Sequence, residues 1–186
     1  MHLGLSGGAQ DGLSGANPSA AVQRGTSHDG FAALDPSGKT VKPLFTIGYE
    51  QSTASAFFDA LSQAGVGLLV DVRAVAASRR PGFSKRQLAA GLDERGIGYV
   101  HLQKLGTPKE GRLAARSGRA DEMLRIFERH LKTPEGQHEL DELTAIARAL
   151  MTRSSRPLCL LCYERDPARC HRQRLVLPRH FARRLA

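Results

Sequence analysis

The chain has 186 residues, 41% of them hydrophobic, which is room for one ordinary globular domain with a core. Its formal net charge of +9 and sequence pI near 10.1 suit a substrate or partner carrying negative charge. No window approaches the roughly 18 consecutive apolar residues of a membrane helix, no secretory leader opens the chain, and three cysteines cannot all pair. The expectation is a cytoplasmic protein with no membrane partner.

Residues 1–43 are rich in Gly, Ser, Ala and Asp and show no apolar period of 2 or 3.6, so they read as a disordered extension. Their charges cancel (Asp11, Asp29 and Asp35 against Arg24, Lys39 and Lys42), which leaves the basic excess on a single domain at 44–186. Leu44–Gly48 predicts a strand, with Ser52 or Thr53 capping a helix that carries Phe57, Phe58 and Leu61 and stops at Gly65. Leu68–Arg73 is apolar until its end and predicts a strand buried on both faces. A basic loop, Ser78–Phe83, leads through a capping-box spacing at Ser84–Gln87 into a helix with Leu88 and Leu92. Ile97–Leu102 is the third strand, and 103–119 reads as an exposed, mobile loop.

Two helical patterns follow, Met123–Leu131 and, after Thr133-Pro134, Leu140–Leu150. Pro157–Tyr163 is the fourth strand. A last helix is expected from Asp166 and Pro167 through Cys170 and His171, with Pro178 kinking or ending it. The alternation predicts a three-layer α/β fold, a mainly parallel sheet of about four or more strands with helices on both faces. In such folds the ligand site lies beyond the carboxyl ends of the strands.

At those ends stand Tyr49 and Glu50, Asp71 and Arg73, His101, and Tyr163 and Glu164, with Cys170, His171 and Arg172 just beyond. Opposite charges interrupting an apolar strand at Asp71 and Arg73 mark either a functional site or an internal ion pair. Cys170 reads as a nucleophile or as a packed thiol; on a helix His171 points about 100° away from it. Cys159-x-x-Cys162 with Cys170 and His171 has zinc-like spacing. Residues three apart in a strand face opposite sides, however, so no metal is assigned. Arg73, Arg79, Arg80, Lys85, Arg86, Lys104, Lys109 and Arg172 offer a positive rim. No phosphate loop or dinucleotide fingerprint is present and no cofactor is implied.

Thr46-Ile47-Gly48-Tyr49-Glu50, Leu69-Val70-Asp71-Val72-Arg73, Ser78-Arg79 with Pro81-Gly82-Phe83-Ser84, Tyr99-Val100-His101-Leu102 with Leu105-Gly106, and Cys162-Tyr163-Glu164 with Pro167 and Cys170-His171-Arg172 together resemble the domain-of-unknown-function family numbered 488. The resemblance spans about residues 44–180, with departures at Gln51 and at Ala76-Ala77. It implies a compact cytosolic α/β domain and no established reaction.

The residues themselves suggest an enzyme-like cleft for an anionic, phosphate-bearing ligand, a nucleotide or nucleic acid. Arg73, Arg79 and Arg172 are the candidate anion binders, with Tyr49, Glu50 and His171 lining the cleft. Glu164 or Asp71 is the candidate base, and Cys170 or His101 the candidate nucleophile or acid. The competing expectation is a non-catalytic module that uses its basic surface on nucleic acid.

Overall fold

The structure, a computed structural model, describes residues 22–24 and 44–176. The strands are β1 (Gln23–Arg24), β2 (Phe45–Gly48), β3 (Leu68–Asp71), β4 (Gly98–His101) and β5 (Leu158–Cys162), in the spatial order β1-β2-β5-β3-β4. β2, β5, β3 and β4 are parallel, and β1 adds an antiparallel edge. The helices are α1 (Ala54–Gln63), α2 (Lys85–Asp93), α3 (Lys109–Arg116), α4 (Ala120–Leu131), α5 (Pro134–Arg153) and α6 (Arg172–Val176).

The three-layer α/β arrangement follows from the burial of β5 on both faces. Because strand side chains alternate, Cys159 and Leu161 meet Phe57, Leu61, Leu88 and Leu92 of α1 and α2. Leu158 and Leu160 meet Phe127, Leu131, Leu140, Leu143 and Leu175 of α4, α5 and α6 on the other side. A strand covered twice has no need of polar residues until it ends.

The helices after β2 and β3 therefore cover one face, and those after β4 and β5 the other. β5 lies between β2 and β3, so its carboxyl end sits where the chain switches faces, the place at which open α/β sheets form a crevice. Thr53 is the cap of α1, its hydroxyl accepting from Ala56 N at 3.2 Å.

Three local expectations change. Residues 103–119 hold a 3-10 turn at Gln103–Leu105 and α3, not one loop, and Leu105, Thr107, Gly111 and Ala114 are buried. The expected helix at Asp166 is a 3-10 turn over Pro167–Arg169, after which Cys170 is extended and α6 begins at Arg172. Of the extension read at 1–43, Gln23 and Arg24 pair with Thr46 and Phe45 as an edge strand; residues 1–21 and 25–43 lie outside the described residues, as does Pro178. No helix among the described residues is long and apolar enough to cross a membrane.

Candidate functional site

The charges that interrupt the second apolar run meet each other. Asp71 is the last residue of β3, and the chain turns so that Arg73 folds back onto it. Asp71 Oδ1 accepts from Arg73 N at 3.1 Å and Nε at 2.8 Å; Oδ2 accepts from Arg73 Nη2 at 2.6 Å and from the Tyr99 hydroxyl at 2.7 Å. Arg73 Nη1 donates to Tyr49 Oη at 3.0 Å and to the Phe83 carbonyl at 2.9 Å. Asp71 is wholly buried and Arg73 is 5% exposed, so a charge left alone here would be costly; both are paired and hydrogen-bonded. Burial works against the Arg73 charge, yet Asp71 beside it leaves the guanidinium more firmly protonated than usual. Burial and the Asp71 charge push the Tyr99 hydroxyl well above the ordinary tyrosine range. His101 Nε2 lies 2.8 Å from the Arg73 carbonyl and fixes the backbone beyond β3.

A different cluster forms one strand away. Cys162 ends β5 on the face shared by Leu158 and Leu160, the side on which α6 packs. Its Sγ lies 3.7 Å from His171 Nδ1, and Cys170 Sγ lies 3.8 Å from the same nitrogen. The three donor atoms are within 4.8 Å of one another. Cys170 is extended and precedes α6, so the 100° spacing of successive helical residues does not apply here, and thiol and imidazole meet in the turn before the helix. His171 Nε2 sits 3.1 Å from the Val72 carbonyl, and its ring packs 4.8 Å from that of Phe127.

Glu164 stands beside these thiols and accepts from Cys162 Sγ at 3.2 Å. Burial works against its charge, but hydrogen bonds from Cys170, from its own backbone and from Cys162, with His171 nearby, hold it below the ordinary carboxylate range. Burial and neighbouring Cys162 push the Cys170 thiol up, which disfavours a free thiolate. Burial opposes charge on His171, but Cys170 and Glu164 outweigh it and raise its basicity. Cys159 belongs to the opposite core, so the reason for separating it from Cys162 holds; the convergence of Cys162, Cys170 and His171 was hidden by the expected helix.

The loop after β5 carries the remaining candidates. A Cβ on Gly48 would fall 1.8 Å from the Glu164 carbonyl oxygen, so glycine lets the two backbones pass. Glu50 Oε2 accepts from Arg165 N at 3.0 Å, and Glu50 N donates to the Tyr163 carbonyl at 2.9 Å. Arg172 is wholly buried and gives its fork to the carbonyls of Glu164 and Arg165, while its Nε has no partner among the described residues. Arg73 and Arg172 thus face inward. Arg79 is exposed, as are Arg165 and Arg169, which line an open depression of about 360 Å³ with Glu50, Gln51 and Asp166.

The family model described as Domain of unknown function DUF488 matches residues 53–177. The chain belongs to the DUF488 family. No curated protein and no solved structure matches it. The DUF488 match covers the Asp71–Arg73 pair and the sulfur cluster, and begins just after Tyr49 and Glu50. Sequence reasoning placed Tyr49, Glu50, Asp71, Arg73, His101, Glu164, Cys170, His171 and Arg172 at one sheet end, where they all lie. It gave no site role to Tyr99, Arg165 or Arg169, and it weighed Cys162 with Cys170 and His171 only in a zinc-like spacing that included Cys159 and was set aside. Strand parity was the signal for Cys162, since it shares the face of Leu160.

Proposed function

We propose that this domain is an enzyme-like module that binds an anionic, phosphate-bearing small ligand beyond the carboxyl ends of β2 and β5. The observation that supports the reading is the depression lined by Glu50, Gln51 and Asp166 together with two cations, Arg165 and Arg169, that are exposed with no side-chain partner among the described residues. A guanidinium offers a fork of donors matched to phosphate oxygens. Arg79 adds a further exposed cation on the basic loop.

Within this reading the anion role passes from Arg73 and Arg172, which are occupied inside the fold, to Arg165 and Arg169. Glu164, held ionised, orients a water or a ligand hydroxyl; a carboxylate below its ordinary range is a poor proton acceptor but a good hydrogen-bond acceptor. Asp71, Tyr49 and His101 position the backbone on which the site rests.

Thermal unfolding against inorganic phosphate, nucleoside mono- and triphosphates and short single strands, at low and high salt, tests the reading. A rise in midpoint with a nucleotide-sized anion that is lost in Arg165→Ala and Arg169→Ala is the expected result. If only long single strands shift the midpoint and salt abolishes the effect, the basic surface acts as a nucleic-acid-binding module and the cleft reading fails.

A further inference from the structure

We infer that Cys162, Cys170 and His171 are the three protein ligands of a tetrahedral zinc ion whose fourth position faces Glu164. Zn–S bonds of about 2.3 Å and Zn–N bonds of about 2.0–2.1 Å put neighbouring donors of a tetrahedron roughly 3.5–3.8 Å apart. The two sulfur-to-nitrogen separations are 3.7 and 3.8 Å. They exceed the roughly 3.6 Å of a tetrahedral sulfur–nitrogen pair by a tenth or two of an ångström, and all three donor atoms fall within 4.8 Å of one another, so a small inward movement of the side chains closes the set on an ion.

The surroundings match what a metal-binding histidine needs. His171 turns Nε2 to the Val72 carbonyl at 3.1 Å, so an N–H there leaves the lone pair of Nδ1 facing both sulfurs. This second contact is the kind that fixes the tautomer and ring orientation of histidine ligands. Val72 is itself anchored, its N donating to the Leu161 carbonyl at 3.1 Å, and the Phe127 ring backs the imidazole. Cys162 is held at the end of β5 opposite Gly48, and Cys170 N donates to the Pro167 carbonyl at 3.0 Å. Two thiolates and a neutral imidazole cancel the charge of a divalent cation, which makes the burial of Cys162, Cys170 and His171 affordable in electrostatic terms. Soft sulfur with imidazole selects zinc over magnesium or calcium. Three protein ligands with one open position, next to a carboxylate, is the arrangement of a working zinc centre, not a closed structural one.

The inference goes beyond the proposed anion site, and its ligand set stands on separate residues. The reduced, chelator-stripped full chain is titrated with Zn²⁺ and with Co²⁺. One equivalent of either should bind, and cobalt should give intense sulfur-to-metal charge transfer with tetrahedral visible bands. Cys162→Ser, Cys170→Ser and His171→Ala should each weaken binding by at least about tenfold, and Cys159→Ser should leave it unchanged. No stoichiometric uptake by reduced wild type, or a cobalt spectrum without thiolate bands, overturns the assignment even if a variant fails to fold. So does a Cys159→Ser variant that loses as much affinity as Cys162→Ser. Repeating the anion titration on stripped protein separates the two proposals: a retained anion response without metal uptake removes the zinc site alone, and metal uptake without an anion response removes the cleft alone.

Discussion

Asp71 and Arg73 at the end of β3 and the Cys162, Cys170 and His171 group at the end of β5 occupy adjacent strands, and they are built in opposite ways. In the first, both carboxylate oxygens and all three guanidinium nitrogens have partners between 2.6 and 3.1 Å. In the second, the sulfurs and the imidazole nitrogen approach only to 3.7 and 3.8 Å. Short mutual bonds leave nothing for a ligand to replace. Two sulfurs and an imidazole nitrogen converging within 4.8 Å of one another are a donor set that a soft cation can complete. Burial alone does not separate a structural cluster from a candidate site; the chemistry of the atoms that converge does.

The sharpest way to break this comparison is to truncate the lock. Arg73→Ala strands a buried carboxylate and leaves the Phe83 carbonyl and the Tyr49 hydroxyl without their donor, and removing one partner of a buried pair typically costs about 3–5 kcal/mol. Urea unfolding should register that loss through a lower midpoint at unchanged slope. A variant as stable as wild type that had lost its response to anions would instead make Arg73 a ligand-binding group and reverse the contrast.

Tyr99→Phe is a gentler cut at the same cluster. It removes the hydroxyl that donates to Asp71 Oδ2, and a hydrogen bond to a charged group contributes about 1.5–3 kcal/mol. The pH dependence carries a sign. The folded-state value for Tyr99 is raised above the ordinary 10.0, by burial first and by Asp71 next. Its contribution is thus fully present below that ordinary value and lost as pH rises through the folded one. Alkaline absorbance titration of wild type should show a late tyrosinate phase that Tyr99→Phe removes; an unchanged titration would take Tyr99 out of the lock.

The contrast between the clusters was only half legible in the sequence. Apolar runs ending in charge located all four parallel strands, and the parallel-sheet rule gathered their polar ends. What the pattern lacked was the state of those ends. Asp71 and Arg73 two apart in an extended segment look alike whether they hold each other or a ligand, because the outcome depends on Tyr49 and Tyr99, 24 and 28 residues from their partners. α3 escaped notice since its buried positions are Gly111 and Ala114, too small to give an apolar period. The sulfur cluster was obscured by one backbone choice: Asp166 caps Ala168 N as expected, but the turn it starts is 3-10 and ends at Cys170 with ψ near 143°.

The smallest effect belongs to the cluster read as unfinished. With metal chelated, Cys170→Ala removes a buried sulfur that contacts His171 Nδ1 at 3.8 Å and hydrogen-bonds Glu164, and the loss should be about 1 kcal/mol, the scale of a small cavity with weak thiol hydrogen bonds. With zinc present the same substitution should cost more, because a ligand bound only by the folded state stabilises it by about 2.7 kcal/mol at a hundred times its Kd. Wild type and variant are unfolded in urea with chelator and again with excess Zn²⁺. A difference that grows on adding zinc fits a cluster completed by an ion. An equal difference in both conditions would make Cys170 a packing residue like Cys159, and the ends of β3 and β5 would then be two structural clusters of unequal tightness.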